Sequence, residues 1–422
     1  MKTSLAPNEI RAFLASWGGW ALDGMDSFIY ALVLLPALKD LLPRSGVPAD
    51  TTSTGYYGGL LFAVFLVGWG CAFLWGPIGD RFGRVRTLML SILCYSLFTF
   101  LGAVAENVWQ LAAFRLLAGL GIGGEWALGG ILVAEVLPEQ HRKKGAGLMH
   151  TGYYFGIFLA AILNYWIGAR YGWRAMFALG GAPALLVGFI RYGVREPERW
   201  QQKAARIEGL LQPLLALFTP QLRRRTVLNT AYVLVSMTGL WAGSVYVPSS
   251  VTQLAARNGF DAAGAARLAS WATMLLSACT IAGCLITPPL AERFGRRAAL
   301  GFFFLLMFLS IAAGFGYAFY LPQNALFWFF VALIFVGVGG ASFAVYTLWL
   351  PEQYPTECRA SAFAFATSAG RFVAAGVTFV VGAAVSHYHT IGRPVAWTSA
   401  AFIAGILLLP LGEETKGKPL PA

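Results

Sequence analysis

Between Arg115 and Arg142 the chain reads RLLAGLGIGGEWALGGILVAEVLPEQHR. The run from Leu116 to Val136 has the length of a helix that crosses a bilayer, for which about 20 apolar residues are needed. Arg115 opens it, Glu125 sits in its middle, and Glu135, Pro138 and Arg142 close it. A charge at the centre of a bilayer costs roughly 2.5–3.5 kcal/mol on insertion scales, so Arg115 and Glu125 must face a cavity or a partner inside a bundle. Gly119, Gly121, Gly123, Gly124, Gly129 and Gly130 are small enough to let neighbouring helices come close.

The rest of the composition agrees. Of 422 residues 58% are hydrophobic and 12% charged, against about 25% charged in a soluble domain. The net charge of +12 suggests a nucleic-acid partner. Its distribution does not, because the basic residues cluster in short loops between apolar spans, as the positive-inside rule requires. Cys71, Cys94, Cys279 and Cys284 lie in apolar spans and Cys358 in a loop. Without metal-ligand spacing they read as packing thiols. The charged leader (Lys2, Arg11) runs into a span too long for a cleavable signal.

Twelve spans are expected, approximately at 12–38, 56–79, 87–104, 109–136, 144–168, 173–193, 226–249, 265–290, 298–318, 325–350, 360–385 and 395–411. Basic loops fall between spans two and three, four and five, six and seven, and eight and nine. They place both termini in the cytoplasm, with the bacterial inner membrane as the expected location. The chain divides into an N-terminal bundle at 1–193, a cytoplasmic linker at 194–225, and a C-terminal bundle at 226–422 with a short tail. The halves repeat. Asp80-Arg81-Phe82-Gly83-Arg84 recurs 212 positions on as Glu292-Arg293-Phe294-Gly295-Arg296. Glu135-x-x-Pro138-x-x-x-Arg142 recurs 217 positions on as Glu352-x-x-Pro355-x-x-x-Arg359. The expected fold is therefore an all-α membrane protein of two pseudo-symmetric six-helix bundles, with a substrate site near the midplane.

These motifs resemble the major facilitator superfamily over essentially the whole chain. Gly79 to Arg84 is similar to its cytoplasmic signature, and Ala291 to Arg296 to the second-half copy. Gly172-Trp173-Arg174 and Arg195-Glu-Pro-Glu-Arg-Trp200 resemble its sugar and organic-anion branches. Leu22-Asp23-Gly24-Met25-Asp26 and Gly123-Gly124-Glu125-Trp126 resemble bacterial carboxylate:proton symporters of the aromatic-acid, sialate and lactate groups. One departure counts against lactate. The fungal lactate group has a His/Gln/Asp signature in span seven, and Tyr232 to Tyr246 holds no charge here.

Asp23 and Asp26 share one face of the first span, with Tyr30 four residues on. Counted at about 1.5 Å per residue, Asp26 and Arg115 fall at similar depth, and Asp23 and Glu125 nearer the midplane. In this superfamily the first and fourth spans are neighbours, so an Asp26–Arg115 pair is expected, like the proton-coupling pair of sugar symporters. The physics is linkage. Beside an arginine a carboxylate keeps its charge, and with the arginine withdrawn a buried carboxylate takes up a proton. The alternative is a static pair holding two helices. Asp23 and Glu125 are further proton sites, or bond to neighbouring helices with Trp126 facing lipid.

Arg371 lies near the middle of span eleven with no carboxylate in that span. It reads as a bidentate partner for a substrate carboxylate, or as the partner of Asp23 or Glu125. Tyr154, Asn164, Tyr232 and Tyr346, and with them Tyr153, Trp241, Tyr246 and Trp349, either line the cavity or pack. His150 reads as a loop histidine at the interface, or as a proton relay, and His387 and His389 as solvated. Asp80, Arg81, Arg84, Glu135, Arg142, Glu292, Arg293, Arg296, Glu352 and Arg359 read as a cytoplasmic gate of ion pairs, or as orientation signals alone.

No phosphate-cradling loop appears, and no His/Cys cluster suggests a metal. No cofactor and no enzymatic activity are expected. The expected activity is alternating-access symport of a small organic anion with protons by a monomer in the bilayer, with no nucleic acid involved. The alternatives are a sugar or polyol porter, an efflux carrier, or a non-transporting membrane protein of the same fold. Scarce Asn and Gln in the spans (Gln110, Asn164, Asn229) argue against a sugar.

Overall fold

The computed structural model describes residues 5–203, 209–388 and 390–421. His389 and the side chains of Trp241 and His387 lie outside the described residues. Every regular element among the described residues is helical. In chain order these are α1 (Pro7–Arg44), α2 (Thr51–Gly70), α3 (Trp75–Phe82), α4 (Arg84–Gly102), α5 (Val108–Val136), α6 (Glu139–Leu163), α7 (Ala169–Leu179) and α8 (Ala184–Gly193). Two short helices come next, α9 (Glu198–Lys203) and α10 (Gln212–Ala216). Then come α11 (Arg223–Val245), α12 (Val247–Arg257), α13 (Ala262–Phe294), α14 (Arg296–Ile311), α15 (Ala325–Gly340), α16 (Ser342–Trp349), α17 (Arg359–Tyr388), α18 (Gly392–Thr398) and α19 (Ala400–Leu408).

Ten stretches among the described residues are long and apolar enough to cross a membrane. An eleventh is α1, bent by 64° between Leu34 and Pro36, where a proline removes a backbone donor and crowds the preceding turn. The 23-residue α11 occupies the position of expected span seven, and with it the helices fit the expected twelve. Several expected spans join pieces: α15 and α16 run on from one another, as do α18 and α19. Gly172, with φ of +80°, interrupts α7. The chain restarts there, and Arg174 turns back to donate to the carbonyls of Ala103 and Ala105 at 2.8 and 2.9 Å. Arg174 also pairs with Asp40 at 3.2 Å, so the Gly-Trp-Arg motif ties the ends of α1 and α4 to α7.

Contacts group the chain into two compact units. The first holds residues up to Thr226, Leu350–Phe372 and the last few residues from Pro419, and the second holds Val227–Trp349 and Val373–Lys418. The sequence division assigned 350–372 to the C-terminal bundle. It packs with the first unit because its polar groups are bonded there.

In the first unit α5 is the central element, with twenty of its residues buried. A Cβ on Gly121 would lie 2.5 Å from the backbone nitrogen of Tyr95 on α4, and one on Gly119 would strike the backbone of Phe65 on α2. Glycine is required at both because backbones touch where a side chain would stand. An apolar cluster of Met25, Ile29, Tyr30, Val33, Leu61, Val108, Leu111 and Phe177 packs α1, α2, α5 and α7 together. In the second unit Phe304 on α14 meets Phe402 on α19 at 5.6 Å between ring centres. Cys358 is buried, and burial pushes its thiol up to about 12, which fits a packing thiol. Gly119→Val is expected to destabilise the fold by about 1–3 kcal/mol through overpacking, read as a lower thermal unfolding midpoint of the purified protein.

Candidate transport site and ion-pair network

Two groups of buried charges lie in the first unit, and they differ in how fully they are paired. The first group sits at the ends of α3, α4, α5 and α17. Gly83, with φ of +114°, forms the tight turn between α3 and α4 and brings Arg84 back onto Asp80. Arg84 pairs with Asp80 at 3.1 Å and with Glu135 at 3.1 Å, and donates to the carbonyls of Gly79 and Thr356, each at 2.8 Å. Glu135 also receives Arg359 at 2.6 Å. Arg359 donates further to the carbonyls of Pro351, Tyr354 and Pro421. Asp80 caps α17, accepting the backbone N–H of Ala360 and Ser361 at 3.1 and 2.8 Å and the Ser361 hydroxyl at 2.6 Å. A carboxylate there complements the positive end of the helix. Arg142 pairs with Glu352 at 3.1 Å. These side chains are almost fully buried, and multiple bonds are what make burial of such charges tolerable.

The two copies of the repeat are capped alike. Glu196, from the Arg195–Trp200 stretch, accepts the backbone N–H of Val85 and Arg86 at the start of α4. In the second unit Glu414 accepts those of Arg296 and Arg297 at the start of α14. Their balance differs. Burial holds the Glu196 carboxyl above its ordinary value. Burial also works upward on Glu414, but four backbone N–H groups outweigh it and hold that carboxyl below. Glu292 pairs locally with Arg296 at 2.9 Å, and Arg293 and Arg81 lie beside the neighbouring Phe294 and Phe82 rings. The ten residues expected as a gate thus divide. Asp80, Arg84, Glu135 and Arg359 form one network, and Arg142 and Glu352 form a pair in the same unit. Glu292 and Arg296 form a separate pair in the second unit.

The second group lies deep among α1, α4, α5 and α17. Asp23, Asp26, Arg115, Glu125 and Arg371 are each at most 4% exposed. Both oxygens of Glu125 and all three guanidinium nitrogens of Arg115 lack hydrogen-bond partners among the described residues, and the Ser27 hydroxyl lies beside Asp23. Glu125 lies against Gly19 of α1. Asp23 is within electrostatic reach of Glu125, Asp26 and Arg371.

The expected Asp26–Arg115 ion pair is not formed. One Asp26 oxygen accepts the Thr99 hydroxyl at 2.9 Å. Arg115 instead lies between the rings of Tyr30 and Phe65, 4.2 Å from each centre. Two π faces stabilise the buried cation. Arg371 lies over the Trp69 ring at 3.4 Å, with Asp23 and Tyr153 its electrostatic neighbours and no ion pair among the described residues.

Other expectations also change. Trp126 does not face lipid but is buried, stacked on Trp20 at 5.7 Å. His150 is no interface histidine. It is buried between Trp20, Trp126 and Tyr154. Tyr154 is half-buried against Tyr153. Asn164 opens a π-helical turn, with its amide over Gly168. Tyr232 and Tyr346 lie in the second unit, where Tyr232 stacks on Trp349 and donates to the Leu408 carbonyl at 2.8 Å. Tyr346 donates to the Tyr232 carbonyl at 2.7 Å and meets Ser236 at 2.8 Å. Trp69, Tyr95 and Thr99 went unnoticed, because a lone aromatic or hydroxyl in an apolar span has no signature until its neighbours are known.

The Major Facilitator Superfamily model matches residues 17–266, more than half of the chain. The chain belongs to that superfamily. The model "Sugar (and other) transporter" matches residues 210–422. The protein is thus a membrane transporter and not an enzyme. The "Probable 4-methylmuconolactone transporter" of Cupriavidus pinatubonensis is 32% identical over 98% of this chain and 92% of its own length. The "Niacin transporter NiaP" of Acinetobacter baylyi is 28% identical over 95% and 93%. The "Cis,cis-muconate transport protein" of the same species is 26% identical over 94% and 92%. Among solved structures, the proton:xylose symporter XylE aligns with a TM-score of 0.80 over 98% of both chains at 19% identity, which establishes the fold.

Within this transporter, Glu135→Gln is expected to cost about 3–5 kcal/mol, because Arg359 then loses its buried counter-charge and Arg84 keeps Asp80 alone. Glu139→Gln, at the exposed partner of Arg142, is expected to cost less than about 1 kcal/mol. Thermal unfolding of the two purified variants checks the contrast.

Proposed function

We propose that the protein carries a small organic anion, a carboxylate, across the membrane together with protons by alternating access. The observation that carries this reading is Arg371, a buried guanidinium with no ion-pair partner among the described residues, held over the Trp69 ring. A planar fork of N–H donors fits a carboxylate bidentately, and the ring behind it fixes its orientation. Relatives named for muconate and niacin favour an organic acid as cargo.

Protons load on the carboxylates of the same unit. Asp23 and Glu125 hold no cation in ion-pair contact among the described residues, and Asp26 keeps the Thr99 hydroxyl. Arg115 parked between Tyr30 and Phe65 is the withdrawn half of the Asp26–Arg115 cycle, so the missing ion pair belongs to one stage of transport. In that stage the network centred on Glu135 is made, and it acts as the gate on the basic side. Its ion pairs break when that side opens. The protein works as a monomer, with both termini in the cytoplasm and the bacterial inner membrane as its location.

Uptake into proteoliposomes under an inside-alkaline pH gradient tests this, with labelled muconate, nicotinate and benzoate against xylose. One carboxylate is expected to accumulate and to collapse with protonophore. Arg371→Ala is expected to lower apparent affinity roughly tenfold or more, the loss of about 1.5–3 kcal/mol from hydrogen bonds to a charged group. Asp26→Asn is expected to uncouple uptake from the gradient. Accumulation of xylose, or carboxylate uptake indifferent to pH, overturns the reading.

A further inference from the structure

The stretch Gly209-Leu-Leu-Gln-Pro-Leu-Leu-Ala-Leu-Phe-Thr-Pro-Gln-Leu222 has two apolar faces. The inner one is built of Pro213 and Leu217, both buried, and Leu217 packs with Tyr354, Cys358 and Ala362. The outer one is bare. Leu211 is 54%, Leu215 66% and Phe218 48% exposed. Their spacing of four and then three residues lines them up along one side of α10 and the turns around it. On a segment bathed by water that side carries polar residues.

The residues just beyond this ridge identify its surroundings. Arg223 and Arg224 are exposed, and Arg223 begins α11, the helix at the position of expected span seven. Three arginines therefore stand where the chain meets the membrane, directly after an exposed apolar ridge. A ridge of Leu and Phe beside a cluster of arginines matches a bilayer surface, with acyl boundary for the ridge and anionic headgroups for the cations.

We propose that residues 209–225 dock on the bilayer surface, with Leu211, Leu215 and Phe218 in the acyl boundary and Arg223 and Arg224 on anionic phospholipid headgroups. The docked segment braces the ion-pair network from outside. Its inner face touches Tyr354, Cys358 and Ala362, which flank Arg359. Arg225 donates to the carbonyl of Gln353, next to Glu352, at 3.0 Å. Anionic lipid thereby stabilises the conformation in which Glu135 holds Arg359.

The test places the photo-reactive residue p-benzoylphenylalanine at Leu211 or Leu215 of the full chain in nanodiscs. The discs contain phosphatidylcholine alone or an equal mixture with phosphatidylglycerol, and adducts are read by mass spectrometry. Leu305, exposed on α14, serves as the lipid-facing control, and Leu217 as the buried one. Lipid adducts are expected at 211 and 215, enriched severalfold in phosphatidylglycerol, with the enrichment lost in R223Q/R224Q. Adducts to a second copy of the chain, or no lipid adduct where Leu305 gives one, overturn the proposal. Lipid adducts without preference for phosphatidylglycerol overturn the headgroup assignment.

Discussion

A charge removed from water needs a counter-charge, a set of donors or a polarisable face, and this requirement organises the first unit. Glu135 meets it fully. It lies between Arg84 and Arg359, with distances of 3.1 and 2.6 Å. Each arginine then spends its remaining donors on backbone carbonyls. The segment 350–372 belongs to this unit because its charges and helix start are satisfied there. Hydrophobic contact alone has no such address, since lipid is as apolar as leucine.

The deep group meets the requirement in a different way. Arg115 and Arg371 rest on aromatic rings rather than on carboxylates, and Asp23 and Glu125 form no ion pair among the described residues. Full pairing makes a rigid structural element. Incomplete pairing leaves groups whose partners can change, which is what the proposed coupling needs. The two groups lie on the same helices: α5 carries Arg115 and Glu125 along its length and Glu135 at its end. A change in charge at one group therefore acts on an element that the other holds.

Much of this was legible in the chain. Ten apolar stretches, the bent first helix and α11 correspond to the twelve expected spans, because the length and apolarity of a span are local properties set by the bilayer. The repeats at 80 and 292 and at 135 and 352 identified the network residues. Their geometry was not legible. The two copies look alike in sequence, and Asp80 and Glu292 each pair with an arginine one turn on, but the α17 backbone that Asp80 also caps could not be read from the motif.

The sequence by itself determined that the chain spans a membrane, which family it resembles and which charges are buried, because burying a charge in an apolar span leaves no local alternative. Only the tertiary structure decided who faces whom. Depth counting put Asp26 and Arg115 level with one another, but rise per residue says nothing of azimuth, and Arg115 turned to Tyr30 and Phe65 instead. Tyr232 and Tyr346 donate their hydroxyls to the carbonyls of Leu408 and Tyr232, partners that no spacing in the chain announces. Partner choice depends on helix rotation and on which backbone carbonyls lie free nearby, and both are set by packing between segments far apart in the chain.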